Sequence, residues 1–376
     1  MRRGLLALAV VAVVVLAAWC AAAVAAPPPV VAPAYIVRGG PTAVVLAARS
    51  PDVARAPASM TKLMTVLVAL EHARLSDVVT VSPQAARVGE SSVNLRAGER
   101  LTVHDLAIAA LVPSANDAAT ALAVYVGNGS IPRFVAMMNA KAKELGLTAT
   151  HFENPHGLDQ PGHVSSARDL TTLLTAALRN PFIRTWSTRS TATIAGGRTL
   201  TSTDDLIGTL PLIGAKTGHT NDAGWSQVAA VQGDGVRITA SVLGSPTEAQ
   251  RNADLGGLLT WGLAQYHRVK AVDGRRVYGR AETGYGRAPI ELVARNEVVR
   301  TVRVGKPLVE RVVVSSALAL PVAKGQRVGE VRVFAGGRLI ARTPLVAAES
   351  VSAVGTAGKA RWYARRTVHH LVGLVS

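Results

Sequence analysis

Apolar residues recur at helical spacing after Pro57, where Leu63, Val66, Leu67 and Leu70 share one stripe and predict a helix from Leu63 to His72. The same period predicts helices over Leu101–Leu111, Asp117–Val126 and Ile131–Leu145, the last stopped by Gly146. Ser166-Ala-Arg-Asp169 reads as a capping box opening a helix that runs to Leu178. Strand texture brackets this helical stretch. "AYIVRGGPTAVVLAARS" reads as two short strands joined at Gly39-Gly40-Pro41. "GWSQVAAVQGDGVRITASVLG" alternates on both sides of Gly233-Asp234-Gly235, as an antiparallel hairpin does. Leu255–Tyr266 returns to helix. The expectation is a mixed α/β domain over residues 34–268, an antiparallel sheet flanked by helices.

Beyond Lys270 the pattern becomes short β-rich runs broken by glycine and proline, which predicts a small all-β domain over 270–350. In the last segment, 358–376, Ala364, Val368, Leu371, Val372 and Val375 share one helical face. Arg361, Arg365, Arg366, His369 and His370 mostly lie elsewhere. That is a basic amphipathic helix, too short and charged to span a bilayer. Two seats fit it, a membrane surface or the protein's own.

The other end differs. Arg2 and Arg3 precede an apolar run from Gly4 to Ala26 that ends in "AAAVAAPPP", the layout of an export signal over residues 1–26. The run is also long enough to stay as an uncleaved anchor. On either reading the rest of the chain crosses the bacterial cytoplasmic membrane and works on its outer, periplasmic or extracellular, side. Residues 27–33 read as an extended, exposed Pro-rich linker. Cys20, the only cysteine, lies within the signal, so the processed protein has neither disulfide nor thiol and relies on packing.

The net charge of +17 raises the question of nucleic acid. Against it, aromatics are only 4%, too few for stacking platforms, and the basic residues are spread along the chain. With export, the charge points instead to anionic wall polymers or lipid headgroups. The histidines have no zinc spacing, and no cofactor or metal motif is present.

Only 8 of the 41 basic residues are lysine, and Lys62 alone has a serine three positions earlier, Ser59 in "PASMTKLMT". Ser-x-x-Lys by itself fits an ordinary helix cap as well as a nucleophile with its base. Arginine could not serve as that base, whereas a desolvated lysine can. In "LVPSANDAA", Ser114 and Asn116 read either as caps or as a proton-relay hydroxyl and a substrate-holding amide. "IGAKTGHT" places Lys216 and Thr217 on a strand where they could bind a carboxylate, with Gly218 allowing close approach of a ligand backbone.

In this order the three triplets form the motif set of penicillin-binding proteins and serine β-lactamases. Together with "FVAMMNAKAKELGLTATHFENPHGLDQPGHVSSARDL", "GAKTGHTNDAGWSQVAA" and "LLTWG", the chain resembles the low-molecular-mass D-alanyl-D-alanine carboxypeptidases, strongly over 34–266 and weakly beyond. The resemblance implies a serine β-lactamase/transpeptidase-like fold and a Ser59 acyl-enzyme with Lys62 as general base. It implies that Ser114 relays protons, Asn116 positions substrate, and Lys216 and Thr217 hold the terminal carboxylate, helped by Arg251 in "SPTEAQRNAD". The oxyanion hole would be the backbone N–H groups of Ser59 and His219. Peptidoglycan stem peptides would be substrates, β-lactams inhibitors, and no cofactor would be required. The middle residue of the second motif is Ala115 where relatives often carry glycine. No Glu-x-x-Leu-Asn segment, which some β-lactamases use for deacylation, follows the second motif.

Overall fold

The computed structural model describes residues 13–15, 25–314 and 317–372. The export-signal expectation for 1–26 falls, apart from 13–15 and 25–26, outside the described residues. Val13–Val15 forms a short strand antiparallel to Leu308–Val314.

The chain divides into two units. In the first, 25–265, a five-stranded antiparallel sheet is built from β1 (Ala34–Gly39), β2 (Val44–Arg49), β3 (Leu212–Thr220), β4 (Gly224–Gly233) and β5 (Val236–Ser245), in the order β2-β1-β5-β4-β3. The two-residue loop Asp234-Gly235 closes the β4–β5 hairpin with φ of 48° and 76°, the left-handed pair that matches strand twist. Strands β4 and β5 are buried almost throughout, so both sheet faces are covered. On one face Ala34, Ile36, Val228 and Ala230 join the main core. On the other, Val37 and Ile238 face helix α6 (Glu248–Ala264), where a Cβ on Gly262 would sit 2.6 Å from Ile238 Cγ2.

The helices of the main core are α1 (Lys62–His72), α2 (Val103–Leu111), α3 (Asn116–Val126), α4 (Ile131–Glu144) and α5 (Ala167–Ala177). The expected apolar stripe of α1 understates its burial. Every residue from Lys62 to Ala69 is buried, which makes α1 a central helix with no solvent face along that stretch. Ser166 caps α5 by accepting from the Asp169 N–H at 3.1 Å. The reciprocal half of a capping box is missing, because the Asp169 carboxylate accepts instead from Ala149 N and Thr150 Oγ1. Helix α6 starts seven residues earlier than expected. Thr247 accepts from Gln250 N and sets the start, while Gly256-Gly257 had masked the helical pattern.

Residues 27–33 are not a free exposed linker. Val30 and Ala32 are buried, and the Asp254 carboxylate on α6 accepts from Val31 N and Ala32 N, the latter at 2.8 Å. The carboxylate supplies the acceptors that a proline-rich segment, short of ladder partners, would otherwise take from water.

The second unit carries the antiparallel run β10-β11-β12-β8-β7, made of β7 (Val277–Thr283), β8 (Ile290–Ala294), β10 (Leu308–Val314), β11 (Arg327–Ala335) and β12 (Arg338–Ala347). A separate pair joins β6 (Tyr266–Val272) to β9 (Val298–Arg303). The mixed α/β domain and the all-β domain expected from the pattern are both present. Helix α7 (Thr356–Val372) follows, exposed over Thr356–Thr367 except at half-buried Trp362, whose ring meets Tyr285 edge-on with centroids 5.6 Å apart. Among the described residues no helix is long and apolar enough to cross a membrane.

Asp254→Ala should lower the unfolding free energy by about 2 kcal/mol, since it strands two backbone N–H groups. Urea denaturation measures this, and an unchanged midpoint would show that the segment is not tied to α6.

Candidate active site

Ser59 does not cap α1. It sits in a 3-10 turn, Ala58–Thr61, that runs into α1 without a side-chain cap. Ala58 has φ 48°, a left-handed conformation costly for a residue with a Cβ. Two glycines hold the turn by close approach. A Cβ on Gly157 would lie 2.0 Å from Ala58 O, and one on Gly218 would lie 3.1 Å from Ser59 N. The i, i+3 spacing then brings Lys62 Nζ to 2.6 Å from Ser59 Oγ.

Lys62 is fully buried although it ends in an amine. Its other acceptor is the carbonyl of His156, at 2.7 Å. Burial disfavours the ammonium, and the charge of Lys216 disfavours it further, so the Lys62 pKa is held well below that of a free lysine. The turn carrying the His156 carbonyl is itself pinned. Asn154 Oδ1 accepts from Gly157 N at 2.7 Å, and Thr65 on α1 donates to Pro155 O. His156 and His163 are neutral supports, pushed down to about 3 and about 4, chiefly by burial. His163 Nδ1 accepts from Glu153 N, which leaves Nε2–H to donate to Thr61 Oγ1 at 2.8 Å.

Ser114 occupies the turn between α2 and α3 with φ 65°, and its Oγ is 2.8 Å from Lys216 Nζ. Asn116 opens α3. Its amide donates to Gly89 O at 3.0 Å, while its buried Oδ1 has no hydrogen-bond partner among the described residues. A ligand N–H would supply one. Asp117, which sequence reasoning passed over, accepts from Ser92 Oγ and from Val93 N and Leu95 N, and so ties the 89–95 loop to the second motif.

Lys216, Thr217 and Gly218 lie on the edge strand β3. The buried Lys216 ammonium donates to Ser114 Oγ and to Thr217 O. Burial pushes its pKa down to about 7; Asp204 opposes that shift and Arg251 adds to it. Thr217 Oγ1 is 2.6 Å from Thr203 Oγ1. His219 is exposed and its ring stacks on Trp225, with centroids 4.1 Å apart. Its expected backbone role is compatible with the path of β3, because Gly218 brings that strand against the Ser59 amide.

Arg251 is placed differently from the other candidates. It is 1% exposed in the first turns of α6, and its guanidinium donates to Glu248 and Asn252 while lying 5.6 Å from the Trp225 ring centroid. It reaches Lys216 through its field, not through a hydrogen bond. The three motifs therefore converge as two bonded pairs, Ser59 with Lys62 and Ser114 with Lys216, with Asn116 and Thr217 beside them. The sequence offered no sign of the His156 carbonyl, since any residue carries one. "NPHG" did offer a signal for Gly157, whose φ of 92° only glycine adopts readily.

Gly157→Ala should lower stability through its strained φ and displace the turn that carries Ser59. The rate of acylation by a fluorescent penicillin should fall on the order of 100-fold, the scale of a 1 Å misplacement. A rate within twofold of wild type would mean that the turn is not held from this side.

Residues 21–247 match the family model for D-alanyl-D-alanine carboxypeptidase, and 271–353 match that for the penicillin-binding protein 5 C-terminal domain. D-alanyl-D-alanine carboxypeptidase DacD of Salmonella typhimurium is 35% identical over 86% of this chain and 87% of its own. The DacF enzyme of Bacillus subtilis is 31% identical over 80% of each. Among solved structures, penicillin-binding protein 5 of Haemophilus influenzae superposes with a TM-score of 0.63 at 29% identity, covering 88% of this chain and all of that one. With both units matched and the three motifs assembled around one serine, the chain belongs to the D-alanyl-D-alanine carboxypeptidase family.

Proposed function

We propose that the chain removes the terminal D-alanine from peptidoglycan stem peptides through an acyl-enzyme on Ser59. The observation that carries this is the 2.6 Å contact between Ser59 Oγ and a fully buried amine, Lys62 Nζ, which is biased toward its neutral form. Neutral Lys62 takes the Ser59 proton as Oγ attacks the carbonyl carbon of the penultimate D-alanine. The developing oxyanion is met by the backbone N–H groups of Ser59 and His219. The C–N bond then breaks, and the leaving amine takes a proton by way of Lys62 and the Ser114–Lys216 pair. Water next attacks the ester carbonyl, gives up a proton to the same base and frees Ser59. Lys216 and Thr217 hold the substrate carboxylate, Asn116 Oδ1 accepts from a substrate N–H, and Arg251 adds long-range positive charge. A β-lactam enters by the same attack, but its leaving amine stays tethered and blocks the water step.

Outside the catalytic unit, export across the cytoplasmic membrane and a seat for α7 on an anionic membrane surface complete the reading. The exposure of most of α7, with Lys359, Arg361, Arg365 and Arg366 along it, supports that seat.

Incubation with diacetyl-Lys-D-Ala-D-Ala should release free D-alanine, and Ser59→Ala should lose both this release and penicillin labelling. Penicillin labelling without D-alanine release by the wild-type chain would sink the carboxypeptidase reading. Truncation before Thr356 should abolish co-sedimentation with phosphatidylglycerol vesicles yet keep D-alanine release; vesicle binding that survives truncation would place the membrane contact elsewhere.

A further inference from the structure

Asp204 is a buried carboxylate that none of the three motifs contains. It lies in the loop before β3, anchored by Oδ1 accepting from Leu206 N at 3.0 Å and by its own N–H donating to Ser202 Oγ. Its neighbour Thr203 holds the Thr217 hydroxyl at 2.6 Å. Gln227, fully buried and directly across from Thr217 in the β3–β4 register, lies against the carboxyl. Burial pushes the Asp204 pKa up from the usual carboxylate range, and two buried cations, Arg251 on α6 and Lys216 on β3, oppose that rise and favour the anion.

Two buried cations without an anion would be costly. Glu248 answers Arg251 from a half-exposed position. Among the described residues no carboxylate touches Lys216, whose hydrogen bonds go to Ser114 Oγ and Thr217 O. The other charges that bear on this ammonium are cationic, Lys62 from α1 and Arg251 from α6. We propose that Asp204 is a positioning residue, the through-space counter-charge that keeps Lys216 cationic while leaving its N–H groups free for Ser114 and an incoming carboxylate. A contact ion pair would take those donors, whereas a carboxylate held one layer back does not. Resting on the proposed roles of Ser59 and Lys216, the inference adds the group that lets a buried lysine act as a cation.

The sign follows from Coulomb's law. Removing the anion makes Lys216 easier to deprotonate, so activity that needs the ammonium is lost at lower pH. The test is the rate of Ser59 acylation by a fluorescent penicillin from pH 5.5 to 9.5, in wild type and in Asp204→Asn. The variant's alkaline limb should move down by about one pH unit, giving about a tenfold deficit above the limb and less than about twofold below it. Asp204→Glu should restore the wild-type limb. Asp204→Ser, also uncharged, gives the same readout if the Asn variant fails to fold. A deficit equal at all pH values, as a purely structural residue would give, overturns the proposal, and so does an unmoved limb. Wild-type protein that is never acylated overturns the functional reading together with this one, whereas normal wild-type acylation with an unmoved limb overturns this one alone.

Discussion

An amine sealed from water is the constraint on which the site depends. Lys62 Nζ has a protein oxygen on each side, Ser59 Oγ and His156 O, and no solvent. Keeping it there requires α1 to lie at the centre of the helical core, the 154–158 turn to present a carbonyl, and a second buried lysine to stand near enough to disfavour charge. Each requirement recruits further structure. Asn154 and Thr65 hold the turn, His163 and Thr61 brace it, and Gly157 lets it approach Ala58. The catalytic geometry is an outcome of core packing, not a set of side chains added to a finished surface.

Much of this was legible in the sequence. Ser59, Lys62, Ser114, Asn116, Lys216 and Thr217 declared themselves because their residue types are scarce or their spacing unusual, and the structure gathers them. The hairpins and most helices followed from periodicity, with α2 and α3 starting within two residues of expectation. What stayed hidden has common physical causes. Backbone groups such as the His156 carbonyl have no sequence signature. Asp204, in the loop before β3, and Asp117, in the first turn of α3, are indistinguishable in the sequence from solvated carboxylates until burial is known. Arg251 was found, but its guanidinium is occupied by Glu248 and Asn252, a local i, i+3 and i, i+1 arrangement that the family resemblance did not suggest. The segment 27–33 looked like a spacer because prolines dominate it, but Asp254, over 220 positions later, and Arg49 on β2 tie its backbone into the fold.

The site also shows how strain is distributed. Ala58 and Ser114, residues that carry a Cβ, both adopt left-handed backbone conformations, the first next to Ser59 and the second the serine of its own motif. Such positions persist where surroundings over-determine them. Around Ala58 those surroundings are Gly157 and Gly218; around Ser114 they are the flanking helices α2 and α3 and the Lys216 hydrogen bond. Ser59 and Ser114 are thereby fixed before any ligand arrives.

The all-round burial of α1 has a consequence for how the protein comes into being. A helix with no polar face cannot gain stability alone in water, so it depends on α2, α3, α4 and α5 closing around it. Its first residue is Lys62, and the serine three positions before rides on the same turn. Reactivity toward a β-lactam is therefore a property of the assembled core, and covalent labelling counts native molecules, much as a cofactor that binds only the finished fold would. A newly made chain stays chemically silent until its last core contacts are in place.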